Sequence, residues 1–239
     1  MGDGLNVETD GRTRIITLDR PDKLNALDAE TVDRLLAEVL EANAADARLL
    51  VFRGAGRSFC AGFDLSDLEA KSDGDLLLRF VRIEMLLQAI GESPARTVAL
   101  AHGKVFGAGV DLVAACRHRV AAPDAVFRMP GLKFGLVLGT RRFARIVGAD
   151  VALGLLEQTS AFGAEQARAM NFIHDVVDPG AWDGVIEAAG RAASALDDTA
   201  RHGLYRAVSN SQPDADLAAL VRSAAREGIK QRLLQYVGR

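Results

Sequence analysis

The chain has 239 residues, enough for one large hydrophobic core, so a single domain with at most a helical appendage is expected. Hydrophobic residues make up 49% and aromatic residues only 5%, which excludes a disordered chain and suits an α/β enzyme packed with Ala, Val and Leu. A formal net charge of −3 gives no electrostatic basis for binding nucleic acid or an anionic membrane.

Cys60 and Cys116 sit in apolar settings and read as reduced core thiols, consistent with a cytoplasmic location. No apolar run approaches the ~18 residues of a membrane span, and the N-terminus lacks a basic-then-apolar signal segment. His102, His118, His174 and His202 are scattered without metal-ligand spacing, so no metal site is expected.

In chain order, residues 5–9 and 14–18 flank Asp10-Gly11 and predict a hairpin. Asp28 is a good N-cap for a helix whose apolar face carries Val32, Leu35, Leu36, Val39 and Leu40. Residues 49–52 predict a buried strand running into a glycine-rich turn, Gly54 to Leu65, that opens a helix with Asp64 as its cap. A long apolar-periodic helix over 76–90 is stopped by Gly91 and Pro94. Residues 97–101 predict a second buried strand. It enters a turn punctuated by Gly103, Gly107 and Gly109, and a helix starts near Ala108.

Further on, residues 119–122, 125–127 and 173–177 predict strands, and 142–147, 151–156 and 163–171 predict helices. The remainder is helical, its last helix running over about 214–235 with Leu217, Leu220, Val221, Ala224 and Leu234 near one side. Such an uncovered stripe should find a partner copy.

The strand, glycine turn and helix arrangement therefore occurs twice, at 49–68 and 97–116. A helix N-terminus offers free N–H groups and a partial positive charge, and no side chain larger than a methyl covers the one at Ala108. Two such turns can aim two backbone donors at one point, as an oxyanion hole requires. A dinucleotide-binding fingerprint does not fit: Gly107-Ala108-Gly109-Val110-Asp111-Leu112 and Gly54-Ala55-Gly56-Arg57-Ser58-Phe59 both lack the last glycine.

Three blocks carry a family resemblance: R-P-D-K-L-N-A-L at 20–27, S-F-C-A-G-F-D-L at 58–65 and A-H-G-K-V-F-G-A-G-V-D-L at 101–112. With R-I-V-G at 145–148 and the run to 177, the chain resembles the crotonase (enoyl-CoA hydratase/isomerase) family over about residues 5–185. The resemblance implies an α/β spiral of ββα turns over 1–185 that binds acyl-CoA. It also implies a C-terminal helical region over 186–239 that assembles trimers or hexamers. The Phe63 and Ala108 N–H groups would hold the thioester oxygen, with Asp111 as the acid/base. Lys23, Leu24, Ala26, Ala61, Asp64, Leu65, Gly107 and Gly131 would form the surrounding substrate site. Coenzyme A would enter as part of the substrate, with no separate cofactor.

Hydratases of this family use two glutamates around a water. Here Asp111, shorter by one methylene, stands at the first position and Gly131 at the second. A misplacement of about 1 Å can cost roughly 100-fold. Isomerase, decarboxylase or hydrolase chemistry is therefore expected over efficient hydration, the alternative being a non-catalytic acyl-CoA binder. The family's P-G-x-G-G segment is shortened here to Gly139-Thr140-Arg141-Arg142. His102 reads as a structural histidine and Cys60 as a poor nucleophile without a paired histidine. Arg128, Lys133, Arg141 and Arg142 are candidates for a substrate carboxylate or phosphate, most of them covering surface. Arg117 has no mechanistic reading.

Overall fold

A computed structural model describes residues 4–238; the first three residues and Arg239, at the outer edges of the two expected regions, lie outside the description. The strands are β1 (Gly4–Asp10), β2 (Thr13–Asp19), β3 (Leu49–Gly54), β4 (Arg96–Ala101), β5 (Lys104–Phe106), β6 (His118–Ala121), β7 (Val126–Arg128), β8 (Phe162–Gly163) and β9 (Asp175–Val176). The first six helices are α1 (Ala29–Ala44), α2 (Asp73–Gly91), α3 (Ala108–Ala115), α4 (Thr140–Val147), α5 (Ala149–Gln158) and α6 (Ala164–Ala169). Four more follow: α7 (Trp182–Ser194), α8 (Asp198–Val208), α9 (Pro213–Ala224) and α10 (Ile229–Val237).

β1 and β2 form the expected hairpin, and the larger sheet then continues β2-β3-β4-β6-β9 with every pairing parallel. Its central strands are buried on both faces, which is why Leu49-Leu50-Val51-Phe52 is a continuous apolar run and not an alternating one. Leu50 and Phe52 face the main core against α1, α2 and α3, while Leu49 and Val51 face Trp182 and Ala189 of α7. A smaller sheet, β5-β7-β8, is extended by bridges from Ser58 and Cys60 to Gly103 and Val105. Each turn of the spiral gives a rung to the large sheet, a rung to the small one, and a helix. That is the ββα spiral the family resemblance implies.

Two expected helices differ. After Phe63 the chain does not enter a helix; it makes a single 3₁₀ turn at Leu68–Ala70, and α2 starts only at Asp73 behind a Ser72–Asp75 capping box. The helix expected over about 214–235 is two, α9 and α10, because Gly228 takes a left-handed conformation (φ 77°) between them. Both fold back onto the core, α9 against α2 and α10 against α2 and the 3₁₀ turn Gly131–Phe134. The boundary expected at 185/186 falls inside α7, which packs on β3 and β4. Among the described residues no helix is long and apolar enough to cross a membrane.

Candidate active site

The two glycine turns meet through their backbones. Phe59 N–H donates to His102 O, Cys60 N–H to Lys104 O, and Phe106 N–H to Cys60 O, so residues 59–60 are sewn to 102–106. The approach is close enough to require glycine at Gly62, where φ is 89° and a Cβ would lie 2.5 Å from the Phe106 carbonyl oxygen. A second seam fixes the other side: Ala61 N–H donates to Leu24 O, Leu27 N–H to Gly62 O and Asp64 N–H to Leu27 O. Buried Asn25 staples this seam, accepting from Arg20 N–H and donating to Ala55 O and Ser58 O. Among the described residues the Phe63 and Ala108 N–H groups have no acceptor. Ala108 opens α3, whose N-cap Gly107 (φ 50°) brings no capping side chain, so the helix-end charge is uncovered.

These two turns floor an apolar cavity of about 260 Å³. Ala61, Phe63, Leu65, Gly107, Ala108, Asp111 and Gly131 all line it, so most of the predicted site converges. Lys23, Leu24, Ala26 and Asp64 do not line it. Lys23 is exposed at the end of the 3₁₀ turn Pro21–Lys23, and Leu24 and Ala26 act through the backbone seam or beside it. Asp64 caps no helix, because none follows. Its carboxylate accepts from Ser66 and pairs with Arg20 at 3.0 Å. Burial pushes its pKa up, but those hydrogen bonds and the Arg20 charge outweigh burial and hold it below the usual carboxylate value.

The Phe63 ring is clamped between Phe80, stacked at 4.4 Å, and the Arg79 guanidinium, 4.2 Å from its centroid. Arg79 also holds Asp64 O and Asp67, fixing the loop that presents the Phe63 N–H.

Asp111, one turn into α3, is 2% exposed, and its Oδ1 has no hydrogen-bond partner. Burial raises its pKa well above the ordinary value; the Arg142 charge opposes this and the Glu84 charge adds to it. Arg142 and Glu84 form a buried ion pair at 3.0 Å. The expectation that Arg142 meets solvent or substrate is therefore wrong: α4 packs on α3, and Arg142 turns inward to reach Glu84 of α2. Glu84 was missed in the sequence, although a lone carboxylate on the buried face of α2, between Phe80 and Leu87, was a readable signal. Asp111 and Tyr236 are the only titratable groups among the residues lining the cavity, and no Lys, Arg or His joins them. Tyr236 comes from α10 and packs on Phe134 at 5.2 Å between ring centroids, so the C-terminal helix helps to close the cavity.

The remaining candidates are structural. His102 Nε2 lies 2.9 Å from Gly56 O. Burial pushes the Cys60 thiol up to about 12, against a hydrogen bond from Gly62 N–H that lowers it, so it is no nucleophile at neutral pH. Arg128 donates to Thr159 O, and Arg141 pairs with Asp216 at 2.9 Å. Arg117 donates to Gly91 O and Ala95 O and lies over Tyr205, which ties the end of α2 to α8.

Against known proteins, the model of the enoyl-CoA hydratase/isomerase family matches residues 9–229. The chain belongs to that family. It is accordingly an enzyme of the enoyl-CoA hydratase/isomerase type, and its spiral is the crotonase fold. A crystal structure from Bordetella parapertussis that carries the family name superposes with a TM-score of 0.98, is 53% identical and covers 100% of both chains. The echA6 protein of Mycobacterium tuberculosis, named a probable enoyl-CoA hydratase, is 36% identical over 70% of this chain and 69% of its own. The short-chain-enoyl-CoA hydratase of Clostridium acetobutylicum is 29% identical over 72% of this chain and 68% of its own.

Proposed function

We propose that this family member processes the CoA thioester of an apolar acyl group through an enolate, by proton transfer at carbon and not by efficient hydration. The carrying observation is that Asp111 is the single carboxylate lining a cavity that also presents the uncommitted N–H groups of Phe63 and Ala108. In this reading both N–H groups donate to the thioester oxygen. When a proton leaves the carbon beside the carbonyl, the electron pair moves onto that oxygen, where the two donors and the α3 dipole stabilise it. Asp111 accepts the proton and returns it, to the same carbon or, in a β,γ-unsaturated chain, to the γ-carbon. The second course shifts the double bond with no atom gained or lost. Burial suits Asp111 to this role, because a raised pKa makes its carboxylate a stronger base and keeps the acid form populated to higher pH, where it can return the proton.

Hydration also needs a water held and activated opposite that proton, and Gly131 brings no side chain for it. Decarboxylation needs mainly the oxyanion hole, but the lining has no cation to receive an acyl carboxylate; thioester hydrolysis needs an attacking water as well, for which Gly131 again brings no base, and both absences favour isomerisation. The CoA moiety would follow the seam of residues 23–27 and 61–65, with no further cofactor. Assembly into trimers or hexamers belongs to the same proposal.

A panel of acyl-CoA substrates tests it: a β,γ-enoyl-CoA, crotonyl-CoA, malonyl-CoA and a saturated thioester, with wild type and Asp111→Asn. Isomerisation that Asp111→Asn abolishes is the expected result. Fast hydration of crotonyl-CoA by wild type refutes the reading, and tight binding with no turnover of any member indicates the non-catalytic binder instead.

A further inference from the structure

At the C-terminal end of α3, the opposite end from the acyl cavity, a cleft of about 470 Å³ opens between β4, β6, α4 and α8. Its lining includes Arg96, Arg117, Arg119, Arg142 and Arg145 and no Asp or Glu, in a chain whose net charge is −3. Two of the five are neutralised from behind, Arg142 by Glu84 and Arg145 in part by Asp216 at 3.9 Å. The other three are not. Arg117 and Arg119 are held by carbonyl oxygens: Gly91 and Ala95 for the first, Cys116, Asn171 and Phe172 for the second. Carbonyls fix a guanidinium in place without cancelling its charge, and each side chain keeps N–H groups to spare.

Arg96 has no side-chain partner among the described residues, and its Nε is buried. It lies near enough to Arg117 and His118 for its charge to disfavour their protonated forms. Like charges gathered in a half-buried concavity are costly unless an anion completes them. Ser209, Asn210 and Ser211 add neutral polar groups at the rim.

We infer that this cleft is a binding site for a small diphosphate-bearing anion, separate from the acyl cavity. Three uncompensated guanidinium groups match the charge of a diphosphate, and planar forks held by carbonyls suit phosphate oxygens better than a single carboxylate. The site is concave, which favours a small ligand over a flat protein contact.

The test is calorimetric titration of the full chain with inorganic pyrophosphate, at low and at near-physiological salt. Expected are saturation at one site per chain, weakening by salt, and affinity at least about tenfold lower in Arg96→Gln. Arg96→Lys, which keeps the charge and loses the fork, should fall between and guards against a folding defect. Arg82→Gln, an exposed site paired with Asp33, should bind as wild type. Acyl-CoA turnover should be unchanged in Arg96→Gln. The inference is overturned by absence of binding or by equal affinity in Arg96→Gln. A parallel rise of the KM for acyl-CoA would also overturn it, assigning the cleft to the CoA moiety. So would a stable oligomer that Arg96→Gln dissociates and pyrophosphate does not touch: Leu204 and Val208, 46% and 70% exposed, line the same cleft, and a carboxylate of a second copy would then be the anion.

Discussion

The Asp111 carboxylate packs directly on the α-carbon of Gly139, so closely that a Cβ there would overlap Oδ1. Gly139 is also left-handed (φ 62°) as the residue before α4. The shortened Gly139-Thr140-Arg141-Arg142 segment thus forms the wall that aims Asp111. Gly139→Ala is expected to cost ~2 kcal/mol or more in stability, from backbone strain and the displaced carboxylate. It should lower turnover about as much as Asp111→Asn does. Urea unfolding and steady-state rates check both.

Asp111 should also carry a pH signature. Its native pKa is raised, so its contribution to stability is full below the ordinary carboxylate value near 4 and declines as pH climbs from there towards the native value. Asp111→Asn removes that decline. The variant should be more stable than wild type at neutral pH by at least ~1 kcal/mol, an advantage that vanishes near pH 3, while turnover is lost. Urea midpoints measured across that range decide it; no gain at neutral pH contradicts the buried, uncompensated carboxyl.

The Glu84–Arg142 pair sets the same group from behind. Glu84→Leu strands a buried guanidinium and should cost about 3–5 kcal/mol. Glu84→Gln keeps a hydrogen-bond acceptor but deletes a charge that raises the Asp111 pKa, so the acidic limb of the pH–rate profile should move to lower pH. Arg142→Met should move it the other way. Shifts of the same sign in both variants would show that the pair does not act on Asp111 through charge.

Ala108→Pro deletes one proposed donor at the first position of α3, where proline is well tolerated in a helix. The expected loss in kcat is roughly 100- to 1000-fold with little change in melting temperature. A folded Ala108→Pro variant at full rate would remove the oxyanion hole from the mechanism.

Gly131→Glu restores a second carboxylate. The position has ordinary backbone geometry, and a Cβ would lie 3.2 Å from Leu136 O, so a small shift of that carbonyl accommodates it. Hydration of crotonyl-CoA should rise on the order of 100-fold. An unchanged hydration rate would show that this position does not face the water-binding side.

Much of this protein is written locally. Apolar runs such as 49–52 and 97–101, Asp28 as a cap, and glycines feeding the helix at Ala108 each act over a few residues, where periodicity and turn chemistry suffice. They place Phe63, Ala108, Asp111 and Gly131 around one cavity because the parallel strands between them leave the backbone little choice. What lies far apart in sequence was settled only by packing. Gly139 against Asp111, Glu84 with Arg142, and Tyr236 on Phe134 span 28 to 102 positions, and each depends on how helices stack after the sheet has formed. A charged residue bears no local mark of burial. Arg142 reads like the exposed Arg141 beside it, and only the packing of α4 on α3, with Glu84 of α2 within reach, turns one into the core and leaves the other in solvent.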